Sequence, residues 1–415
     1  MIEALANAFR VPDLRRRILF TLAIIGLYRV GAHIPAPGVP VQQIASLVEQ
    51  QAALGLLNLF AGGALENFAV FSLGIMPYIT ASIIMQLLQG VIPTVERWSK
   101  EGESGQRKIT QTTRYMTLGI ALLQSVGLLT VFRQSLGITF DLVTGFIVVT
   151  TLIAGTALIM WLGELITQRG IGNGMSLIIF VSIVARFPVA VWQSVSAGNW
   201  GMVLITMFVS LFTIAAIVVM ERGQRRIPVQ YAKRVVGRKV YGGAGTYIPF
   251  KVNSAGVIPI IFASAMLFFP AQVAGFFPDV QWLASASRAL TTGWAYYLMY
   301  GGLVVFFTYF YSALVFNPID LGDNLRKNGG FIPGVRPGRA TVVYLESVMN
   351  RITLPGALFL ALVAIGPQAM FRATDVQLLD AFGGTSILIM VGVALETMTQ
   401  LESQLKMRHY DGFFK

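Results

Sequence analysis

The chain has 415 residues, of which 55% are hydrophobic and only 12% charged, and its 31 Lys and Arg outnumber 19 Asp and Glu to leave a net charge of +12. Soluble domains carry about 25% charged residues, so this composition excludes an ordinary soluble domain and points to one membrane-embedded bundle. There is no cysteine, which excludes disulfides and thiolate metal sites, and His33 and His409 lie too far apart in sequence to suggest a histidine-built centre.

Ten apolar stretches follow one another at about 18–34, 70–92, 115–132, 142–165, 172–191, 202–220, 254–276, 295–316, 352–370 and 384–400. Most are long enough for a membrane-crossing helix, which needs roughly 20 residues. Ahead of the first, Ile2–Arg17 places Ile2, Leu5, Phe9 and Leu14 on one face. This lead-in reads as an amphipathic helix lying on the membrane surface. It is too long for the charged region of a cleaved leader, and Val30–Pro37 offers no clean cleavage site.

Most basic residues, 26 of the 31, fall in every second gap or at the ends of the chain. Arg10 and Arg15–Arg17 precede the first stretch; Arg97, Lys100, Arg107, Lys108 and Arg114 follow the second. Arg169 follows the fourth, a run from Arg222 to Lys251 the sixth, and Arg326, Lys327, Arg336, Arg339 and Arg351 the eighth. Lys406, Arg408 and Lys415 close the chain. Lys and Arg flanking membrane helices stay on the cytoplasmic side. The pattern therefore predicts that side for these gaps and, with an even number of crossings, for both termini.

Between the first two stretches, residues 54–68 are apolar but too short to span. Such a piece is re-entrant or interfacial, and periodicity does not choose between capping the bundle interior and lying on the outer surface. In the second stretch, Gly74 and Pro77 weaken the backbone ladder and invite a bend. Ile75 and Ile79 are four apart and share a helix face, and Met175 and Ile179 repeat that spacing after the flexible run Gly170-Ile-Gly-Asn-Gly174. From spacing alone, these pairs read as packing or lipid contact.

The gap at 221–252 contains two β-like runs around a glycine-bearing turn, the pattern of a hairpin. Its basic residues, and those of a second loop at 317–340, suit a polyanion such as RNA, an acidic protein or anionic lipid. Glu164, Glu396 and Arg29 sit near the ends of their stretches, where they read as interface anchors or buried pairs. Carboxylates, Lys and His are sparse at mid-membrane positions, which argues against ion coupling, and no nucleophile–base or acid pair suggests an enzyme. The residues alone leave a passive channel, a secondary transporter of a small solute built on inverted repeats, and a pore-less insertion scaffold as competing readings.

Eight motifs occur in order: Phe60-Ala-Gly-Gly-Ala-Leu65, Leu73-Gly-Ile-Met-Pro-Tyr-Ile-Thr-Ala-Ser82, Lys100-Glu-Gly-Glu-Ser-Gly105, Gly170-Ile-Gly-Asn-Gly174, Glu221-Arg-Gly-Gln-Arg-Arg226, Val252-Asn-Ser-Ala-Gly-Val-Ile-Pro259, Asn317-Pro-Ile-Asp and Pro333-Gly-Val-Arg-Pro-Gly338. Together they resemble the SecY family, the channel subunits of the bacterial protein translocase, over essentially the whole chain. The resemblance implies an all-α membrane protein of ten transmembrane helices in two inverted five-helix halves, residues 1–191 and 192–415, forming a clamshell with a re-entrant plug. It implies a pore ring at Ile75, Ile79, Met175, Ile179, Ile261 and Ile389, with Met175 departing from an all-branched set. It implies a plug at about 54–68 with Phe60, Gly62, Gly63 and Leu65, the glycine pair acting as a hinge or a simple helix break. It implies a lateral gate at Thr80, Gln124 and Asn253, where each residue could instead bond its own helix backbone. Docking of a ribosome or the motor SecA is expected at Arg225, Arg226, Lys233, Arg234 and Arg336, with ribosomal RNA a possible contact. No cofactor is implied. Expected partners are SecE and SecG, signal peptides and nascent chains, and membrane lipid, in the bacterial plasma membrane. No Walker-type ATP motif is present, so energy would come from a partner.

Overall fold

Proline and glycine set where most helices begin. Pro12 opens α1 (Pro12–Gly31), since a proline at the first helical turn lacks only an N–H that has no intrahelical partner there. The computed structural model describes residues 9, 11–50, 52–136, 141–196, 198, 200–231, 234–236, 239–241, 245–276, 280–282, 285, 293–374 and 383–411. The helices that follow are α2 (Val41–Gln50), α3 (Ala52–Phe60), α4 (Met76–Val91), α5 (Pro93–Lys100), α6 (Glu103–Leu136), α7 (Leu142–Arg169), α8 (Gly174–Ser196) and α9 (Trp200–Arg222). After a strand-rich insert come α10 (Ile258–Phe276), α11 (Trp294–Val315), α12 (Pro318–Lys327), α13 (Arg339–Thr374) and α14 (Gly384–Asp411).

Among the described residues, 7 helices are long and apolar enough to cross a membrane, or 8 if α4 and α5 form one span bent by 98° at Ile92 and Pro93. Two of the ten expected spans stand outside that set. In α1 the basic residues Arg15, Arg16 and Arg17 belong to the helix itself, and in α10, which runs 19 residues, only the shorter apolar piece Ile258–Leu267 has every side chain among the described residues. The helix expected over 70–92 begins only at Met76, because Gly74 takes a φ of +56° and residues 61–75 form consecutive turns. Of the expected surface helix at Ile2–Arg17, residues 2–8 and 10 lie outside the described residues, and Pro12–Arg17 are continuous with α1 rather than a separate helix.

The neighbour relations of the first five long helices recur in the last five. In the first set α1 packs on α7 and α8, α4 on α6, α6 on α7, and α7 on α8. In the second, α9 packs on α13 and α14, α10 on α11, α11 on α13, and α13 on α14. Across the two sets, α10 meets α4 and α6, while α8 meets α9 and α14. Large apolar side chains such as Phe146, Phe208, Leu211 and Leu362 face outward, as expected where hydrocarbon rather than water is the solvent. Small residues allow close approach: at Gly155 on α7 an added Cβ would lie 2.0 Å from the Val70 carbonyl oxygen, and at Gly384 on α14 it would lie 1.7 Å from that of Val363.

The insert after α9 is a two-tier hairpin. β1 (Gln224–Tyr231) pairs antiparallel with β4 (Thr246–Lys251), in register Gln224 opposite Lys251. Beyond it β2 (Arg234–Val236) pairs with β3 (Lys239–Tyr241). The second loop joins the same sheet, since β5 (Gly330–Phe331) pairs with β1 at Gln230 and Tyr231. Ile227, Val229, Phe250, Leu325, Ile332, Leu345 and Val348 close a small core beneath this sheet.

Candidate functional site

The six expected ring residues lie on four helices. Ile75 caps the N-terminus of α4, and Ile79 sits one turn on, its N–H bonded to the Ile75 carbonyl at 3.1 Å. Met175 and Ile179 lie on the first turns of α8, whose start is fixed by Asn173: its side-chain oxygen accepts the Met175 N–H at 3.1 Å. Ile261 lies on the first turn of α10 and Ile389 on α14. All six side chains are buried, with exposures from 0% at Ile389 to 9% at Met175, and belong to a large apolar core that also takes in Tyr28, Ile159, Ile217, Phe307 and Val363 from other helices. Met175 runs along α7 where Gly163 leaves room, since a Cβ there would meet its sulfur at 2.4 Å. The flexible thioether suits such an irregular gap.

The segment 54–68 folds as the short helix α3 followed by turns. Gly62 and Gly63 both take positive φ, +65° and +86°, and end the helix, with the Gly63 N–H reaching the Asn58 carbonyl at 3.0 Å. Phe60 belongs to the same cluster as the six residues above, whereas Leu65 packs into a second cluster with Phe68, Ala121, Leu128, Phe132 and Leu152. The segment thus straddles two cores.

Two α1 side chains grip its backbone. Tyr28 donates to the Ala61 carbonyl at 3.3 Å and shares a 2.6 Å hydrogen bond with Ser182 of α8. Arg29 donates to the Gly62 carbonyl at 3.0 Å. Glu66 pairs with Arg186 of α8 and with Asn58. The sequence reading missed Tyr28, Ser182, Glu66 and Arg186. The one available clue was a lone carboxylate and a lone guanidinium in stretches otherwise poor in charge.

Of the three expected gate residues, Thr80 bonds its own helix through the Met76 carbonyl at 3.0 Å. Gln124 lies half-buried on α6. Asn253, 4% exposed, donates to Glu221 at 2.6 Å and to the Gly256 carbonyl at 3.0 Å. The helices bearing Thr80 and Gln124 both pack against α10. Glu164 is the buried pair that the sequence allowed, with Arg114 Nε donating to it at 2.8 Å.

Arg225 and Arg226 are exposed on β1, and the Arg226 guanidinium lies 4.8 Å over the Tyr247 ring. Arg336 is exposed in the loop after β5. Pairing of β5 with β1 therefore brings the two basic loops into one surface. Lys233 and the Arg234 side chain lie outside the described residues.

A family model described as SecY matches residues 69–398. The chain belongs to the SecY family. The protein translocase subunit SecY of Streptomyces scabiei is 50% identical over 437 aligned residues, which cover 100% of both chains. Among solved structures, a SecY whose plug domain is described as stabilising the closed translocation channel and maintaining a membrane seal has a TM-score of 0.63 at 18% identity, covering 93% of this chain and 91% of that one. The Sec61 of a canine ribosome-channel complex has a TM-score of 0.62 at 16% identity, covering 93% and 91%. At these identities the structures show that the chain has the fold of SecY and Sec61 channels.

Proposed function

We propose that this SecY-family chain is the channel subunit of a protein translocase, a passive conduit that moves unfolded polypeptides across a membrane and releases apolar segments sideways into it. The observation that carries this reading is the shared cluster of Ile75, Ile79, Met175, Ile179, Ile261 and Ile389, drawn from helices of both helix sets. A narrow apolar constriction resists wetting and blocks ions when empty. It offers no directional hydrogen bonds, so chains of any sequence can slide through it. Phe60 in that cluster supports a plug role for residues 54–68. The comparisons support the channel and not the solute transporter.

Ten crossings in two inverted halves, residues 1–191 and 192–415, account for the repeated neighbour pattern. In that reading α8, α9 and α14 form the hinge side. The seam of α10 against α4 and α6 is the lateral gate, with Thr80, Gln124 and Asn253 lining it. Polar contacts between membrane helices average about 0.6 kcal/mol, weak enough for an apolar signal helix to compete with. The charge pattern supports a cytoplasmic position for both termini, and the likeness to bacterial SecY subunits supports the inner membrane as the location. Arg225, Arg226, Lys233, Arg234 and Arg336 then dock a ribosome, through its RNA, or SecA. SecE and SecG complete the complex.

The test replaces Ile79 or Ile261 with Asn in the assembled complex. The expected result is an ion leak in the idle channel and export of precursors with defective signal sequences. Unchanged conductance and unchanged export would overturn the reading.

A further inference from the structure

We propose that Glu66 and Arg186 form a charge latch that holds the plug segment in its closed position. The proposal rests on reading residues 54–68 as a plug and names what keeps it in place.

Ser182 and Arg186 are one turn apart on α8 and share a face. That face holds the segment at two levels. At Ser182 the contact runs through Tyr28 to the Ala61 carbonyl. At Arg186 the guanidinium meets the Glu66 carboxylate directly. The grip on Ala61 and the Arg29 bond to Gly62 use plug backbone, so any plug sequence could make them. The Glu66 bond depends on a plug side chain and its charge. Asn58, fully buried, ties the same carboxylate back to α3 and accepts the Glu66 N–H at 3.2 Å, which holds the carboxylate in place.

The far end of the segment is fixed independently. The Ala36 N–H bonds the Phe68 carbonyl at 2.8 Å, and the Val70 N–H bonds the Ile34 carbonyl at 2.9 Å. Phe68 is buried with its ring 5.4 Å from that of Phe132, and its φ of +40° is unusual for a side-chain-bearing residue. These contacts make residues 68–70 a pivot about which the rest of the segment swings once released.

A half-buried carboxylate among apolar neighbours is unfavourable unless paired. Arg186 supplies that pairing only when the segment is docked, whereas a displaced segment gives Glu66 to water. The pair therefore biases one position over the other, which is what a two-state element requires. Side-chain exposures of 32% for Glu66 and 25% for Arg186 put it between a surface pair and a buried one. A latch of that strength can keep an idle channel shut and still be broken by an arriving chain.

The experiment uses the full chain in its complex. Because the chain lacks cysteine, Ala64→Cys places a single thiol on the buried face of the segment, where a membrane-impermeant maleimide reports displacement. Glu66→Arg and Arg186→Glu are each expected to raise labelling at position 64 and idle conductance roughly tenfold. The double reversal should restore both, and Arg186→Lys should stay near the parent. If single reversals leave labelling and conductance unchanged, or the double reversal fails to rescue, there is no charge latch. If position 64 stays unlabelled in the parent even while a precursor is translocated, the plug reading itself fails.

Discussion

Asn253 donates its amide to Glu221 at 2.6 Å, joining the end of α9 to the lead-in of α10 at the root of the hairpin. The backbone closes the same junction, with the Val252 N–H on the Gly223 carbonyl at 2.9 Å and Gln224 opposite Lys251. The basic hairpin and the start of the proposed gate helix are thus one mechanical unit.

Glu221→Ala leaves the buried Asn253 amide short of an acceptor, which costs about 1–3 kcal/mol. A fall in the melting temperature of the detergent-solubilised complex is expected. The same loss should appear for Asn253→Ala, and the double variant should lose less than the sum of the two, because the partners share one interaction. Full additivity in that cycle would show that the bond contributes nothing.

Gly155 tests how closely α7 must approach the turns before α4. Its Cβ position is 2.0 Å from the Val70 carbonyl oxygen, so Gly155→Ala forces backbone apart and is expected to destabilise by about 1–3 kcal/mol. Gly119→Ala on α6, where nothing lies within 4 Å, is the control. It should be neutral or stabilising by up to about 1 kcal/mol through helix propensity. Thermal unfolding of both variants side by side decides the matter.

Arg114 and Glu164 tie α6 to α7 with two guanidinium–carboxylate bonds. Glu164 is only 16% exposed at its side chain, so Arg114→Ala strands a mostly buried carboxylate, with an expected loss of about 1–3 kcal/mol. Arg114→Lys should recover part of it, since an ammonium cannot reproduce the two-pronged geometry. Denaturation midpoints that rank parent, Lys and Ala in that order check the prediction.

Much of the architecture was legible along the chain. Hydropathy found the long helices, and the β-like runs at 221–252 are paired strands. The reading failed where a local signal pointed the wrong way. Residues 70–75 are apolar enough to continue a helix, but the backbone turns at Gly74, where a Cβ would press within 2.9 Å of Ala61. The motif resemblance selected Ile75, Ile79, Met175, Ile179, Ile261 and Ile389 together, which spacing alone could not have done.

Hydropathy and charge alternation are properties of short windows, so the membrane class and the course of the long apolar helices follow from the residues themselves. Which remote groups meet is a different matter. Glu66 finds Arg186 across 120 positions of sequence, β5 adds to β1 from another loop, and Phe60 and Leu65 part into separate cores. Such contacts depend on which elements tertiary packing brings side by side, and no window along the chain holds that information.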